Sequence, residues 1–299
     1  MNTDEAAQAG EATKPVVTVG LDGTPESLSA TLWAAQEASA RDATLRLLYA
    51  WVMLAPEWGD QPQENDRNYW PKRIVAEAAR TVEERFPGLP VYKDLVAEEP
   101  VNALLDAAAE SQSLVLGSRD VTGLAGYFLG DIGMHVLARS ETVTVLVRAR
   151  EDPASIKENG DVVLGLSLHG APETLLTYAF ETAARRAAVL RVVHGRNLPP
   201  PAYNRGGIDP YISHEMTTRA QHELTRTLRL WRDRFPEVRV VESVRMESPA
   251  RALVRDTAGT GLLVVGRRKK RSALSPRIGH VLSVAVHHAP CPVAVVPHE

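Results

Sequence analysis

Two stretches of this 299-residue chain carry residue types suited to holding an anion: "GSRDVTGLAGYFLGD" at 117–131 and "GRRKKRSALSPRIGH" at 266–280. The first has glycines at 117, 123, 126 and 130. Lacking a Cβ, glycine lets backbone N–H groups approach a phosphate closely, and a helix opening near Gly130 would add its positive end. The second keeps Gly266 and Gly279 but sets five basic side chains in a row, Arg267 to Arg271. Taken alone, that run is a nucleic-acid tether, a solvated loop or a phosphate-binding turn. A third candidate is "GLDGT" at 20–24, where Asp22 follows an apolar run. Its carboxylate could hydrogen-bond a polar ligand at a strand end, or simply organise the turn into the next helix.

The elements that must position these residues are written twice. "KPVVTVGLDGTPESL" (14–28) resembles "DVVLGLSLHGAPETL" (161–175), with Gly20 matching Gly165 at an offset of 145 residues. "SLVLGSRD" (113–120) resembles "GLLVVGRRK" (261–269), with Gly117 matching Gly266 at an offset of 149, and "TVTVLVR" (142–148) resembles "CPVAVVP" (291–297). Order and spacing are both kept, as two copies of one domain require. The organisation expected is a polar, disordered lead over 1–13, a first domain over 14–150, a linker over 151–160 and a second domain over 161–299.

Within the first copy, Val16–Gly20 reads as a short strand, and Thr24-Pro25-Glu26 opens a helix with a cap, a first-turn proline and an acid at the positive end. Strands follow at 45–52, 91–96, 114–117 and 143–147, with helices near 70–86, 100–110 and 130–140 between them. Strands alternating with helices predict an α/β fold of two tandem doubly wound (Rossmann-like) domains. Each would be a five-stranded parallel-type sheet with helices on both faces. Ligands in such sheets sit outside the carboxyl ends of the strands. The polar loop 55–68 and its Pro/Gly-rich counterpart 197–211 read equally well as lids over that edge or as surface decoration. The last strand of each copy lies at a sheet edge, where exposed backbone invites pairing.

Bulk composition narrows the function classes. Hydrophobic content of 44%, charged content of 24% and a net charge of −3 describe an ordinary globular protein with no global attraction to nucleic acid or an anionic membrane. Cys291 is the single cysteine, which excludes an internal disulfide and fits a reducing compartment. The amino-terminal residues have no basic region followed by an apolar one, so a cytoplasmic location is expected. No Walker A motif, no H-E-x-x-H pair and no G-x-S-x-G elbow occurs, and neither catalytic nor metal-ligating residues are predicted.

Repeated α/β domains with an Asp after strand one and a glycine loop after strand four resemble the universal stress protein family in its tandem form. That family's ATP loop reads Gly, two residues, Gly, nine residues, Gly, then Ser or Thr. Here the positions are Gly117, Asp120, Gly130 and Asp131 in the first copy, and Gly266, Lys269, Gly279 and His280 in the second. The outer glycines are kept, while the middle glycine and the hydroxyl are replaced in both copies. Ser167 stands in place of the strand-one Asp in the second copy. The resemblance implies a regulator of the stress response in bacteria that binds ATP or another adenine nucleotide, with Mg²⁺ as a candidate partner of Asp131. At most slow hydrolysis goes with it, so no enzyme is expected. The candidate nucleotide contacts are Asp22, Gly117, Ser118, Arg119, Gly130 and Asp131, then Gly266, Arg267, Arg268, Gly279 and His280. Arg267 and Arg268 are expected to hold phosphate in place of glycine amides. The alternative is a degenerate member that binds no nucleotide and acts as a protein–protein scaffold. The two domains are expected to pair within one chain; a homodimer stays open, and the protein partners are unnamed.

Overall fold

The computed structural model describes residues 14–52, 69–120, 127–128, 130–149, 160–204, 207–269 and 278–299. The lead 1–13, the loop 55–68 and the linker up to 159 lie outside the described residues. The first half runs β1 (Val16–Gly20), α1 (Pro25–Ala40), β2 (Thr44–Ala50), α2 (Tyr69–Arg85), β3 (Val91–Val96), α3 (Pro100–Ala109), β4 (Ser113–Asp120), β5 (Tyr127–Phe128), α4 (Asp131–Arg139) and β6 (Val143–Arg148). The second runs β7 (Val162–Gly165), α5 (Glu173–Arg185), β8 (Leu190–Gly195), β9 (Tyr203–Asn204), β10 (Gly207–Ile208), α6 (Pro210–Arg234), β11 (Val240–Arg245), α7 (Pro249–Asp256), β12 (Leu262–Arg268), α8 (His280–His288) and β13 (Val293–His298). Four helices start by one device, a proline at the first turn behind a capping side chain: Thr24, Glu99, Asp209 and Ser248 each accept a hydrogen bond from a first-turn amide.

Within each half five strands are parallel, in the order β3-β2-β1-β4-β6 and, mirrored, β13-β12-β7-β8-β11, while the short β5 pairs β4 and β9 pairs β10 antiparallel. β6 and β13 pair antiparallel, so both halves share one continuous sheet. Their register, Leu146↔Val293, Val145↔Ala294 and Thr144↔Val295, is symmetric about the Val145–Ala294 pair. The repeat offset of 149 is the spacing of that central pair, so a pseudo-twofold axis passes through it. This antiparallel join covers the last-strand edge of both domains, leaving β3 and β11 at the ends of the shared sheet. It also sets the carboxyl end of each domain's sheet beside the helix-to-strand turn of the other.

Alternate strand residues face opposite layers. Val17, Val19, Val115 and Val264 pack beneath α1, α2, α5 and α6, while Leu114, Leu116, Leu263 and Val265 pack beneath α3, α4, α7 and α8. The fourth strand of each half continues past the predicted 114–117, because Ser118 pairs with Arg148 on β6 and Arg119 with Phe128 on β5. Residues expected in the loop after strand four, Ser118, Arg119, Arg267 and Arg268, are therefore strand residues, and the pleat sets the directions of Ser118, Arg267 and Arg268.

A second contact between the halves lies on the α1/α5 side. Arg41 and Arg186 occupy matching C-cap positions on α1 and α5, again 145 residues apart. Both converge on Glu37: Arg41 Nε donates at 2.7 Å and Arg186 Nη2 at 2.8 Å. Each guanidinium also covers a ring of the opposite half, Arg41 over Tyr178 at 5.9 Å and Arg186 over Trp33 at 5.3 Å. Burial raises the pKa of the Glu37 carboxyl, but the two arginines outweigh it and hold the group below its ordinary value.

Candidate functional site

Each half has a cavity at the carboxyl ends of its strands, where the strand order reverses about β1 or β7. The first, about 400 Å³, lies between Gly20, Leu48 and Leu116 at the strand ends, Pro100 and Leu104 of α3, and Gly130–Gly133 at the start of α4. The second, about 650 Å³, lies between Gly165, Val193 and Val265, Pro249 and Leu253 of α7, and Gly279–Leu282 at the start of α8. Both helix starts have glycine at the N-cap with no side-chain capping bond. Several first-turn amides of α4 and α8 thus lack an intrahelical acceptor and lie at the cavity wall, the arrangement that binds anions at helix N-termini.

The two cavities differ in charge. The first is lined by three carboxylates, Asp22, Glu26 and Asp131, and by no Lys, Arg or His among the described residues. The second is lined by Arg196, Arg267 and Arg268 and by His169, His194, His280 and His298, with no carboxylate among the described residues. Asp131 stands in the first turn of α4 and already complements the helix's positive end, whereas its counterpart in the second half is His280. A phosphate entering the first cavity meets like charge at close range. One entering the second meets cations and free amides.

Most of the predicted site residues come together in these two places. Asp22, Gly117, Gly130 and Asp131 line the first cavity; Gly266, Arg267, Arg268, Gly279 and His280 line the second. Asp22 also does what the turn reading required, since its Oδ1 accepts from the Thr24 amide at 3.0 Å and the Thr24 hydroxyl at 2.5 Å. Gly117 is needed for packing: a Cβ there would stand 2.7 Å from the Glu26 carbonyl carbon and 2.8 Å from the Ser27 nitrogen. Ser118 does not line the cavity; it is buried, and its Oγ has no hydrogen-bond partner among the described residues. The side chains of Arg119, Asp120 and residues 270–277 lie outside the described residues.

Arg267 departs from the expectation of a phosphate ligand. The residue is 7% exposed, and its guanidinium donates to the Ala138 carbonyl at 3.1 Å and to the Ser140 carbonyl, both at the end of α4 in the first half. The pleat turns residue 267 toward the α4/α8 layer, and the antiparallel join brings the end of α4 there. Arg148 makes the reciprocal contact, donating to the Val286 carbonyl of α8 at 2.9 Å.

A family model described as the universal stress protein family matches residues 15–148 and again 159–297. The chain belongs to the universal stress protein family. Its relatives include a universal stress protein of Mycolicibacterium smegmatis, 29% identical over 302 residues and covering 95% of this chain and 98% of that protein. A universal stress protein of Mycobacterium tuberculosis strain H37Rv is 27% identical over 286 residues, covering 93% of this chain and 96% of its own length. Among solved structures, a universal stress protein from Archaeoglobus fulgidus aligns with a TM-score of 0.63 over 95% of this chain and 98% of that one, at 14% identity. That likeness concerns the fold. The tandem universal stress protein architecture thus accounts for both halves and the shared sheet.

Sequence reasoning missed the walls of both sites. Pro100, Leu104, Pro249 and Leu253 reach the cavities from α3 and α7, and their signal was the acid- or serine-proline helix start in "EEP" and "ESP". It also missed His169, His194, Arg196 and His298, which carry no motif. No helix of the described residues is long and apolar enough to cross a membrane. Among the described residues no three His, Cys, Asp or Glu side chains converge as a metal site needs. Among the described residues the second cavity offers no carboxylate for Mg²⁺.

Proposed function

We propose that this universal stress protein binds one adenine nucleotide, ATP or a relative, in the cavity of its second half. There it acts in the cytoplasm as a nucleotide-responsive regulator of the stress response, without dedicated catalysis. The observation that carries this reading is the charge of the cavity at 165–298: arginines and histidines beside the uncapped start of α8, and no carboxylate among the described residues. Phosphates would lie against the amides of Gly279–Leu282 and the side chains of Arg268 and His280. The apolar walls, Val193, Pro249 and Leu253, would enclose the base. Family membership supports the adenine part of the reading.

For the first half, a specific observation favours the other reading, a degenerate copy that takes no nucleotide and serves through contacts. Asp22, Glu26 and Asp131 line its cavity, and no Lys, Arg or His does so among the described residues. No Mg²⁺ held by the protein is part of the proposal. The test is to denature the purified protein and identify released nucleotides by mass spectrometry, followed by titration of stripped protein with ATP. Recovery of ATP, ADP or AMP at up to one per chain is expected. No recovered nucleotide together with no heat on titration would remove the reading.

A further inference from the structure

Arg267 touches both halves of the molecule. It follows Gly266 on β12 and lines the second cavity, together with the first turn of α8. Its guanidinium is spent on the carbonyls of Ala138 and Ser140, where α4 of the first half ends. The start of the same helix, Gly130–Gly133, lines the first cavity. α4 is nine residues long, short enough to move as a unit. One side chain therefore connects the floor of one cavity to the helix that walls the other.

The guanidinium is buried against neutral acceptors. No ion pair is formed by Arg267 among the described residues; Glu141, 81% exposed and nearest to Lys269, is the carboxylate that acts on it from a distance. Burial lowers the pKa of this arginine, and Glu141 only partly offsets that. A cation held this way is poorly compensated, and an anion within reach is the better partner. A phosphate offers this guanidinium an opposite full charge and a bidentate, fork-to-fork geometry, neither of which two backbone carbonyls supply.

We propose that Arg267 is a phosphate-operated clamp: a phosphoryl group seated at the start of α8 draws its guanidinium off Ala138 and Ser140, which frees the last turn of α4 in the first half. This inference rests on the nucleotide reading above. The two states are defined by the acceptor of one guanidinium, the α4 carbonyls or the phosphate. Linkage makes the effect reciprocal: whatever holds α4 against Arg267 weakens phosphate binding in the second cavity. A chain whose first half takes no nucleotide would in this way still report occupancy of the second.

Hydrogen–deuterium exchange of the full chain, with and without saturating ATP, tests the clamp. With ATP, exchange in 280–288 slows and exchange in 136–142 speeds up about tenfold, the factor expected from losing a hydrogen bond to a charged group. In Arg267→Met, 136–142 exchanges fast from the start and ATP leaves it unchanged. If that variant fails to fold, the wild-type pair of measurements still decides. Protection of 280–288 with 136–142 unchanged or slowed overturns the clamp while leaving nucleotide binding intact. No change at 280–288 under saturating ATP overturns the nucleotide reading, and the clamp with it.

Discussion

Glu37 accepts from both Arg41 and Arg186 at the join of the two halves, so replacing it by glutamine isolates the electrostatic part of that join. Glu37, Arg41 and Arg186 have side chains 5%, 11% and 15% exposed, too little for water to screen the charges well. Glu37→Gln keeps the shape but leaves two guanidiniums side by side with only the more weakly acting Glu181 to offset Arg41. Breaking a buried pair from one side costs about 3–5 kcal/mol, most of it the penalty of the charge left behind. For a domain of 150–250 residues each kcal/mol lowers Tm by about 2–4 °C, so a fall of roughly 10 °C is expected. Differential scanning calorimetry measures it, and Arg186→Gln in the same background should recover part of the loss, as coupled neighbours do. The pH dependence has a fixed sign. Since the Glu37 pKa is depressed on folding, its contribution is complete above the ordinary value of 4.5 and is lost as pH falls through the folded value. The gap between wild type and Glu37→Gln should therefore close below about pH 4.5. A fall of less than 2 °C, or a gap that widens in acid, would refute the reasoning.

Two further substitutions test the packing and the join. Gly117→Ala drives a Cβ into the backbone of Glu26 and Ser27 and should cost about 1–3 kcal/mol in urea unfolding. Gly266→Ala meets the His298 ring and Leu175, side chains that can turn aside, and should cost less than the first variant. Arg148→Met removes the donor to the Val286 carbonyl, so amide exchange across 286–290 should quicken while 136–142 stays as it was.

How far these features were legible follows from their range in the chain. The turn at Asp22, the proline-led start of α1 and the alternation of strands with helices are local patterns, and the repeat at Gly20/Gly165 and Gly117/Gly266 exposes the doubling. The replacement of the loop hydroxyl by Asp131 and His280 was visible too, and the cavities add the charge that surrounds each. What was hidden depends on the antiparallel join of β6 and β13. Strand parity gives the face toward which Arg267 points, but only that join puts the end of α4 there. The same holds for Glu37, whose partner Arg186 lies in the other half. In the sequence both look like ordinary helix-surface charges.

On the proposed function, the second cavity and not the first takes an adenine nucleotide. Isothermal titration of ATP into the full chain, alongside Arg268→Glu and Asp22→Ala, tests it most directly. The expected result is one site per chain, weakened about tenfold or more by Arg268→Glu, which sets a carboxylate where the phosphates are cradled. Asp22→Ala should leave it unchanged. Binding abolished by Asp22→Ala and indifferent to Arg268→Glu would contradict the account.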